Sequence, residues 1–296
     1  MPLEELSKAG QGTKAEQWEQ ALRLLYINFQ DYSKSAVKKF DDEDIHRARV
    51  NSRKLLTLLA ILDPSHSSGL YPIFKKAQKL LGKVRDADVL IDSFKKRRKQ
   101  SQEAGDSKSA ELLKAVILHQ KDKRKKYRKR LADELPSLAG GKKLDELWNT
   151  FLSESLPALV AKKDANVVMR ELEIAFEQKK KACRTLFRGP EGDSEESYEA
   201  LHRLRIAAKE LRYTANAAAF ALNQKFHAHE QIYMKIQDQL GQINDKRVWL
   251  KTLDRIGREE LDIGKKAWDV FTDTLKAEVL DALHQEEVAH LVGRSK

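Results

Sequence analysis

Cysteine is almost absent from this sequence: Cys183 stands alone among 296 residues. An intramolecular disulfide and a cysteine-rich zinc site are therefore both excluded, and a reducing compartment fits. Proline and glycine are sparse, at 6 and 13 residues, while 34% of the chain is charged and 41% hydrophobic. That composition argues against a β-sandwich and against a disordered chain, and favours long solvated helices. No apolar run approaches the roughly 20 residues of a membrane span. The opening Met1-Pro2-Leu3-Glu4-Glu5-Leu6 is acidic and lacks the basic and apolar regions of a secretory leader. A soluble protein of the cytoplasm is expected, with no membrane among its partners. Nor does the chain contain a Gly-x-x-x-x-Gly-Lys-[Ser/Thr] phosphate loop or a nucleophile elbow, so no catalytic residue, cofactor or enzymatic activity is assigned.

What the chain has in excess is positive charge. A net charge of +11 and a pI near 9.4 point to a polyanionic partner such as nucleic acid, anionic lipid or a phosphate polymer. Charge alone does not choose among them.

The sequence also repeats itself. Ile45-His46-Arg47-Ala48-Arg49-Val50 returns 156 residues later as Leu201-His202-Arg203-Leu204-Arg205-Ile206. Leu81-Gly82-Lys83-Val84-Arg85-Asp86 returns at nearly the same offset as Leu240-Gly241-Gln242-Ile243-Asn244-Asp245. Such ordered recurrence marks an internal duplication. Apolar periodicity predicts an all-α fold of two pseudo-symmetric four-helix bundles: a first repeat over 14–135, a connecting segment over 136–160 and a second repeat over 161–292. In the first repeat, helices are predicted through Trp18–Phe29, after the acidic cluster Asp41–Asp44, over Tyr71–Lys99 and over Ser107–Glu134, with a turn at Asp63–Gly69. Pro136–Gly141 reads as a chain break and Trp148–Pro157 as a connector. In the second repeat the predicted helices are Ala165–Phe187, Ser197–Leu222, Phe226–Ile256 and Gly264–Leu291, with Gly189–Asp193 as an exposed loop.

At about 100° per residue, His46, Arg49 and Arg53 fall within roughly a 60° arc, and Ala48, Ser52, Leu55, Leu59 and Leu62 lie opposite. His202, Arg205, Lys209, Arg212 and Tyr213 form the corresponding stripe, opposite Leu201, Leu204, Ala208, Leu211 and Ala215. A cationic stripe on an amphipathic helix is ordinarily only its solvated face. Solvent asks for polarity alone, however, whereas both copies keep His, then Arg, then Arg or Lys at one spacing. Thr57 matches Tyr213, so each position retains a donor able to reach a phosphate oxygen. Lys76, Lys79 and Lys83 form a second row with the same spacing, for which the second half has only Lys235, Asp238 and Gln242. Gly82 and Gly241 interrupt helices at a cost of about 1 kcal/mol each relative to alanine, which close helix approach would offset. Asp86 and Asp245 suit the orienting of basic neighbours.

Metal binding is not expected beside His46 and His202, because arginines one turn away repel a cation. His227 and His229 form an isolated pair assigned to a solvated face, and His66, His119, His284 and His290 are assigned nothing. Lys121–Arg130 has eight basic residues in ten, and Lys95–Lys99 is wholly basic. These charges wrap around their helices, as diffuse steering of polyanions requires, and Tyr127 is the only aromatic platform in the longer stretch.

The two His-x-x-Arg helices and the two Leu-Gly-x-x-[Arg/Asn]-Asp blocks, taken together, resemble the CHAD domain, the conserved histidine α-helical domain, over about Lys14 to Leu291. That resemblance implies paired bundles with a basic groove between them, binding of inorganic polyphosphate and recruitment to polyphosphate granules. It also implies the ligands His46, Arg49, Arg53, His202, Arg205, Lys209 and Arg212, with Lys76, Lys79 and Lys83 as neighbours, while Tyr213 joins them from its place on the stripe. Leu56 departs from the pattern, since the second copy has Arg212 there. The triphosphate hydrolase domain often fused to this family carries Glu-x-Glu-x-Lys; the nearest string here, Glu171-Leu172-Glu173-Ile174-Ala175, lacks the lysine. Nucleic-acid binding, including a nucleoid role, is the competing function, and a metal-dependent polyphosphate-processing enzyme is the third.

Overall fold

A computed structural model describes residues 12–189, 194–285, 288, 289 and 291. The N-terminal hexapeptide, Pro190–Asp193 of the predicted loop and His290 lie outside them. The fold is all-α: among the described residues there is no strand. Among the described residues, ten α-helices follow one another as α1 (Lys14–Lys39), α2 (Asp42–Leu62), α3 (Leu70–Glu103), α4 (Ser107–Ala139), α5 (Lys142–Thr150), α6 (Leu156–Lys162), α7 (Ala165–Arg188), α8 (Glu195–Ala217), α9 (His229–Ile256) and α10 (Lys265–His284).

Local chemistry sets several of the ends. Thr13 and Glu16 form a reciprocal capping box that starts α1, and Phe40 closes that helix in the left-handed region, its N–H donating to Ala36. Asp41 then caps α2 by accepting from the backbone N–H groups of Glu43 and Asp44. The acidic cluster predicted to open a helix thus supplies the cap as well as favourable charge. Between α2 and α3 the buried Asp63 carboxylate gathers the backbone N–H groups of Ser67 and Ser68, both at 2.9 Å, and the hydroxyls of Ser65 and Ser67. Burial alone would raise its pKa, but the hydrogen bonds from Ser68 and Ser67 prevail and hold it down to about 2. Gly69, at φ +72°, completes the turn in a conformation that residues with a Cβ rarely adopt.

The helices form two compact units. Among the described residues, unit one comprises those within 12–93, 120–168 and 213–227, and unit two those within 94–119, 169–212 and 228–291. Helices α3, α4, α7 and α8 therefore each contribute residues to both. In unit one, Phe29 packs edge-on to Phe74, Tyr26 stacks on Trp148 at 4.2 Å, and Trp18 meets Phe220 at 5.1 Å. In unit two, Phe94 lies against Trp249 and Phe176 against Tyr233, and Leu204, Leu211, Phe271 and Leu275 are buried. Cys183 is buried there, which pushes its thiol up to about 12 and keeps it protonated.

The segments expected to punctuate and to connect the chain are helical. Pro136 lies inside α4, which continues to Ala139. The predicted connector is α5, a π-helical turn at Phe151–Ser155 and α6, and it buries Leu144, Trp148, Phe151, Leu152, Leu156 and Val160. Its apolar residues recur at helical spacing, the π turn accommodates one extra residue, and Pro157 follows that turn at the start of α6. Conversely, α8 stops at Ala217, and two 3-10 turns, Ala219–Ala221 and Gln224–Phe226, carry the chain to α9.

Candidate functional site

In unit one, the predicted division of α2 into two faces holds. Ala48, Ser52, Leu55, Leu59 and Leu62 are fully buried, while His46, Arg49 and Arg53 remain partly exposed on the other side. Arg49 reaches α3 at Gly82, where an added Cβ would sit 3.5 Å from its Nε. That glycine therefore meets an arginine side chain, not a neighbouring backbone. Arg49 Nη2 lies 3.6 Å from Asp86 Oδ1, which orients the guanidinium as the motif suggested, and its buried Nε makes no hydrogen bond. The Arg53 guanidinium sits 4.4 Å above the Tyr213 ring, so two predicted site residues meet within this unit. Leu56 is buried, and the Thr57 hydroxyl donates to the Arg53 carbonyl at 3.1 Å, not outward as a phosphate donor.

His46 is electrostatically compressed. Burial lowers its pKa below the ordinary imidazole value, and the charges of Arg85, Arg49 and Arg53 lower it further against the opposing pull of Glu43. Arg85, whose charge acts on His46, is a candidate that the stripe reading missed. Its signal was the alignment of the Gly-x-x-Arg block with Gly-x-x-Asn, because Asn244 occupies the equivalent place beside the second histidine. The lysine row divides: Lys79 is exposed, Lys83 approaches the Tyr127 face at 5.6 Å, and Lys76 pairs with Glu134 at 3.0 Å, a carboxylate also held by Arg130.

Unit two repeats the local arrangement. Leu201, Leu204, Ala208, Leu211 and Ala215 are buried, and His202, Arg205, Lys209 and Arg212 lie on the more exposed side. Ala215 belongs to the part of α8 counted with unit one. His202 Nδ1 is 3.2 Å from Asn244 Oδ1, and a Cβ on Gly241 would lie 4.0 Å from Arg205 Nη2. Arg212 donates to Gln237 Oε1 at 3.1 Å. Asp245 accepts from its neighbour Asn244 at 3.4 Å.

The basic stretch of α4 is not wholly a solvated surface. Asp88 is buried, and Arg124 donates to its Oδ1 at 2.8 Å while Arg128 stands 3.6 Å away and also reaches Asp42. Burial raises the pKa of Asp88 in spite of the two guanidinium groups. Lys121, Lys125, Lys126, Lys129 and Arg130 are the exposed basic members of the stretch. His229 likewise departs from a solvated face: it is largely buried, its Nε2 lies 2.5 Å from Glu173 Oε1, and its ring tilts against Tyr233. Glu173 is the second glutamate of the incomplete hydrolase string, which lies on α7. His66 stacks on Tyr71. Among the described residues, no group of three His, Cys, Asp or Glu side chains could hold a metal ion, and no helix is long and apolar enough to cross a membrane.

Helices whose cationic faces carry a repeated His, Arg and Arg or Lys define an all-helical protein with a candidate anion site in each unit. The CHAD domain pattern matches residues 20–254, and the chain belongs to that family. It is 27% identical over 192 residues to Uncharacterized protein MT2285 of Mycobacterium tuberculosis (strain CDC 1551 / Oshkosh), an alignment covering 62% of this chain and 35% of that protein. The chain thus spans about a third of the curated relative it matches. The crystal structure of the CHAD domain from the plant Ricinus communis superposes with a TM-score of 0.67 at 18% identity, covering 96% of this chain and 93% of that one, a likeness of fold.

Proposed function

We propose that this chain binds inorganic polyphosphate through its motif rows and performs no chemistry on it. One observation carries the reading: in each unit the motif arginine lies at the motif glycine, and the residue three positions beyond that glycine acts on the motif histidine, Arg85 through its charge on His46 and Asn244 through its contact with His202. Recurrence of this arrangement in two stretches that otherwise differ is consistent with an internal duplication retained for a ligand. In the proposed mechanism, the guanidinium and ammonium groups of Arg49, Arg53, Arg85, Arg205, Lys209 and Arg212, with the imidazoles of His46 and His202 when protonated, replace the counterions of a phosphate chain. Lys79 and Lys83 add charge in unit one. Lys76, held by Glu134, contributes less. A cytoplasmic location and recruitment to polyphosphate granules belong to the same proposal.

Duplex DNA is the competing ligand, since a net charge of +11 attracts any polyanion. Against single strands stands the use of the tyrosine faces: Tyr213 and Tyr127 carry Arg53 and Lys83, where stacked bases would need open platforms. The decisive experiment compares Arg49→Ala with Arg205→Ala against Lys125→Ala with Lys129→Ala, two pairs that remove the same charge. Calorimetry with long-chain polyphosphate should show at least a tenfold greater loss for the motif pair, with helical content unchanged by circular dichroism. Equal losses would remove the motif as the site. Displacement of bound polyphosphate by duplex DNA at moderate salt would favour the nucleic-acid reading, and shortening of the phosphate chain with time in the presence of magnesium would make the protein an enzyme.

A further inference from the structure

Unit one contains an apolar groove of about 330 Å³ between the C-terminal parts of α1 and α4, lined by none of the motif residues. Two pairs at helical spacing, Ser33 with Val37 and Leu135 with Ala139, line it, and Pro136 and Gly140 continue the α4 wall. The space arises because α4 runs short of side chains here: Ala139 offers one methyl and Gly140 none. Pro136 also has no N–H to give the carbonyl one turn earlier. Lys34 and Lys38 stand along the α1 edge, both exposed, and neither makes an ion pair among the described residues.

Ser33 marks the groove as more than a packing defect. It is 2% exposed, yet its hydroxyl has no hydrogen-bond partner. Elsewhere in this protein helical hydroxyls donate to the carbonyl four residues back, as Thr57, Thr252 and Thr274 do. Ser33 forgoes that bond while lining a groove edged with lysine. Leaving a buried hydroxyl unpaired is costly unless a ligand satisfies it.

We propose that this groove binds a single-chain amphiphilic carboxylate, with its tail along Val37, Leu135, Pro136 and Ala139 and its head at Lys34 and Lys38. The unpaired hydroxyl of Ser33, a lining residue of the groove, is the donor proposed for the carboxylate. The charge of the edge selects an anion, and the apolar walls select a tail that phosphate polymers lack. At roughly 30 Å³ for each water-sized group, 330 Å³ accommodates a chain of about ten carbons.

Decanoate below its micellar concentration is the probe, titrated into the full chain by calorimetry. Saturable binding with one site is expected, weakened at least tenfold in Lys34→Glu with Lys38→Glu and abolished in Val37→Trp, which fills the groove. Decyltrimethylammonium should bind at least tenfold more weakly than decanoate. Because the lysines are exposed, the charge-reversed variant tests the proposal even if Val37→Trp fails to fold. Absence of decanoate binding overturns it, as does binding indifferent to the lysine reversal. Flotation with anionic phospholipid vesicles through Lys34 and Lys38, without decanoate binding, would also overturn it by making the edge a membrane contact.

Discussion

Tyr213 offers the sharpest test of how the motif row works. On a hydrogen-bonding view its hydroxyl would donate to phosphate. The structure uses its ring, which carries the Arg53 guanidinium at 4.4 Å. A cation over an aromatic face is worth about 0.5–1 kcal/mol when exposed and about 2 kcal/mol when desolvated. Both side chains are partly buried, so removing the ring should cost about 1 kcal/mol, equivalent to roughly fivefold in affinity if that energy holds Arg53 in its binding pose. Tyr213→Phe keeps the face and should bind polyphosphate within about twofold of the parent; Tyr213→Leu should lose roughly fivefold. Calorimetric titration at fixed salt measures both, and urea denaturation of each variant separates a loss of stability from a loss of binding. If Tyr213→Phe loses as much as Tyr213→Leu, the hydroxyl is the ligand and the positioning argument fails. It fails equally if neither substitution changes affinity.

Polyphosphate affinity should fall steeply with salt, with a logarithmic slope of about 0.7 per phosphate contact by analogy with single strands; a flat dependence would exclude counterion release. Because burial and the charge of Arg85 lower the His46 pKa in the free protein, a bound polyanion must raise it, and binding just below pH 6.5 should take up protons. Calorimetry in buffers of different ionisation enthalpy detects that uptake, and none in Arg85→Ala alone would mean that Arg85 creates the compression. The same depressed pKa means that the unfolded chain binds this proton more readily, so the free protein should lose stability as pH falls through the histidine range. Asp63, held at about 2, contributes stability that is complete above its unfolded pKa near 3.8 and lost as pH falls towards 2. Asp63→Asn should abolish that acid-dependent part, as chemical denaturation between pH 5 and 2 would show. Finally, Arg124→Ala should destabilise by about 3 kcal/mol, because it strips the buried Asp88 of its shortest ion pair; a change under about 0.5 kcal/mol in urea denaturation would show the pair to be dispensable.

Helix content and the inward and outward faces of α2 and α8 were legible in the sequence, because each depends on residues three or four apart along one helix. The solvated or buried fate of a residue touching another helix was not. Composition marked Arg124 and Arg128 as members of a basic run, and only the packing of α4 placed them on Asp88. The connector with Trp148 carried a helical pattern that its loop-like punctuation obscured, and its role became visible only when Tyr26 stacked on it. Arg85 was set apart from the stripe because it lies on a different helix from His46; the approach of α3 to α2 made them neighbours. The sequence by itself thus determined which residues each helix offers on a given face, since that follows from 3.6 residues per turn. Tertiary structure alone decided which of those offers meet, because contacts between helices depend on crossing geometry that no local spacing encodes.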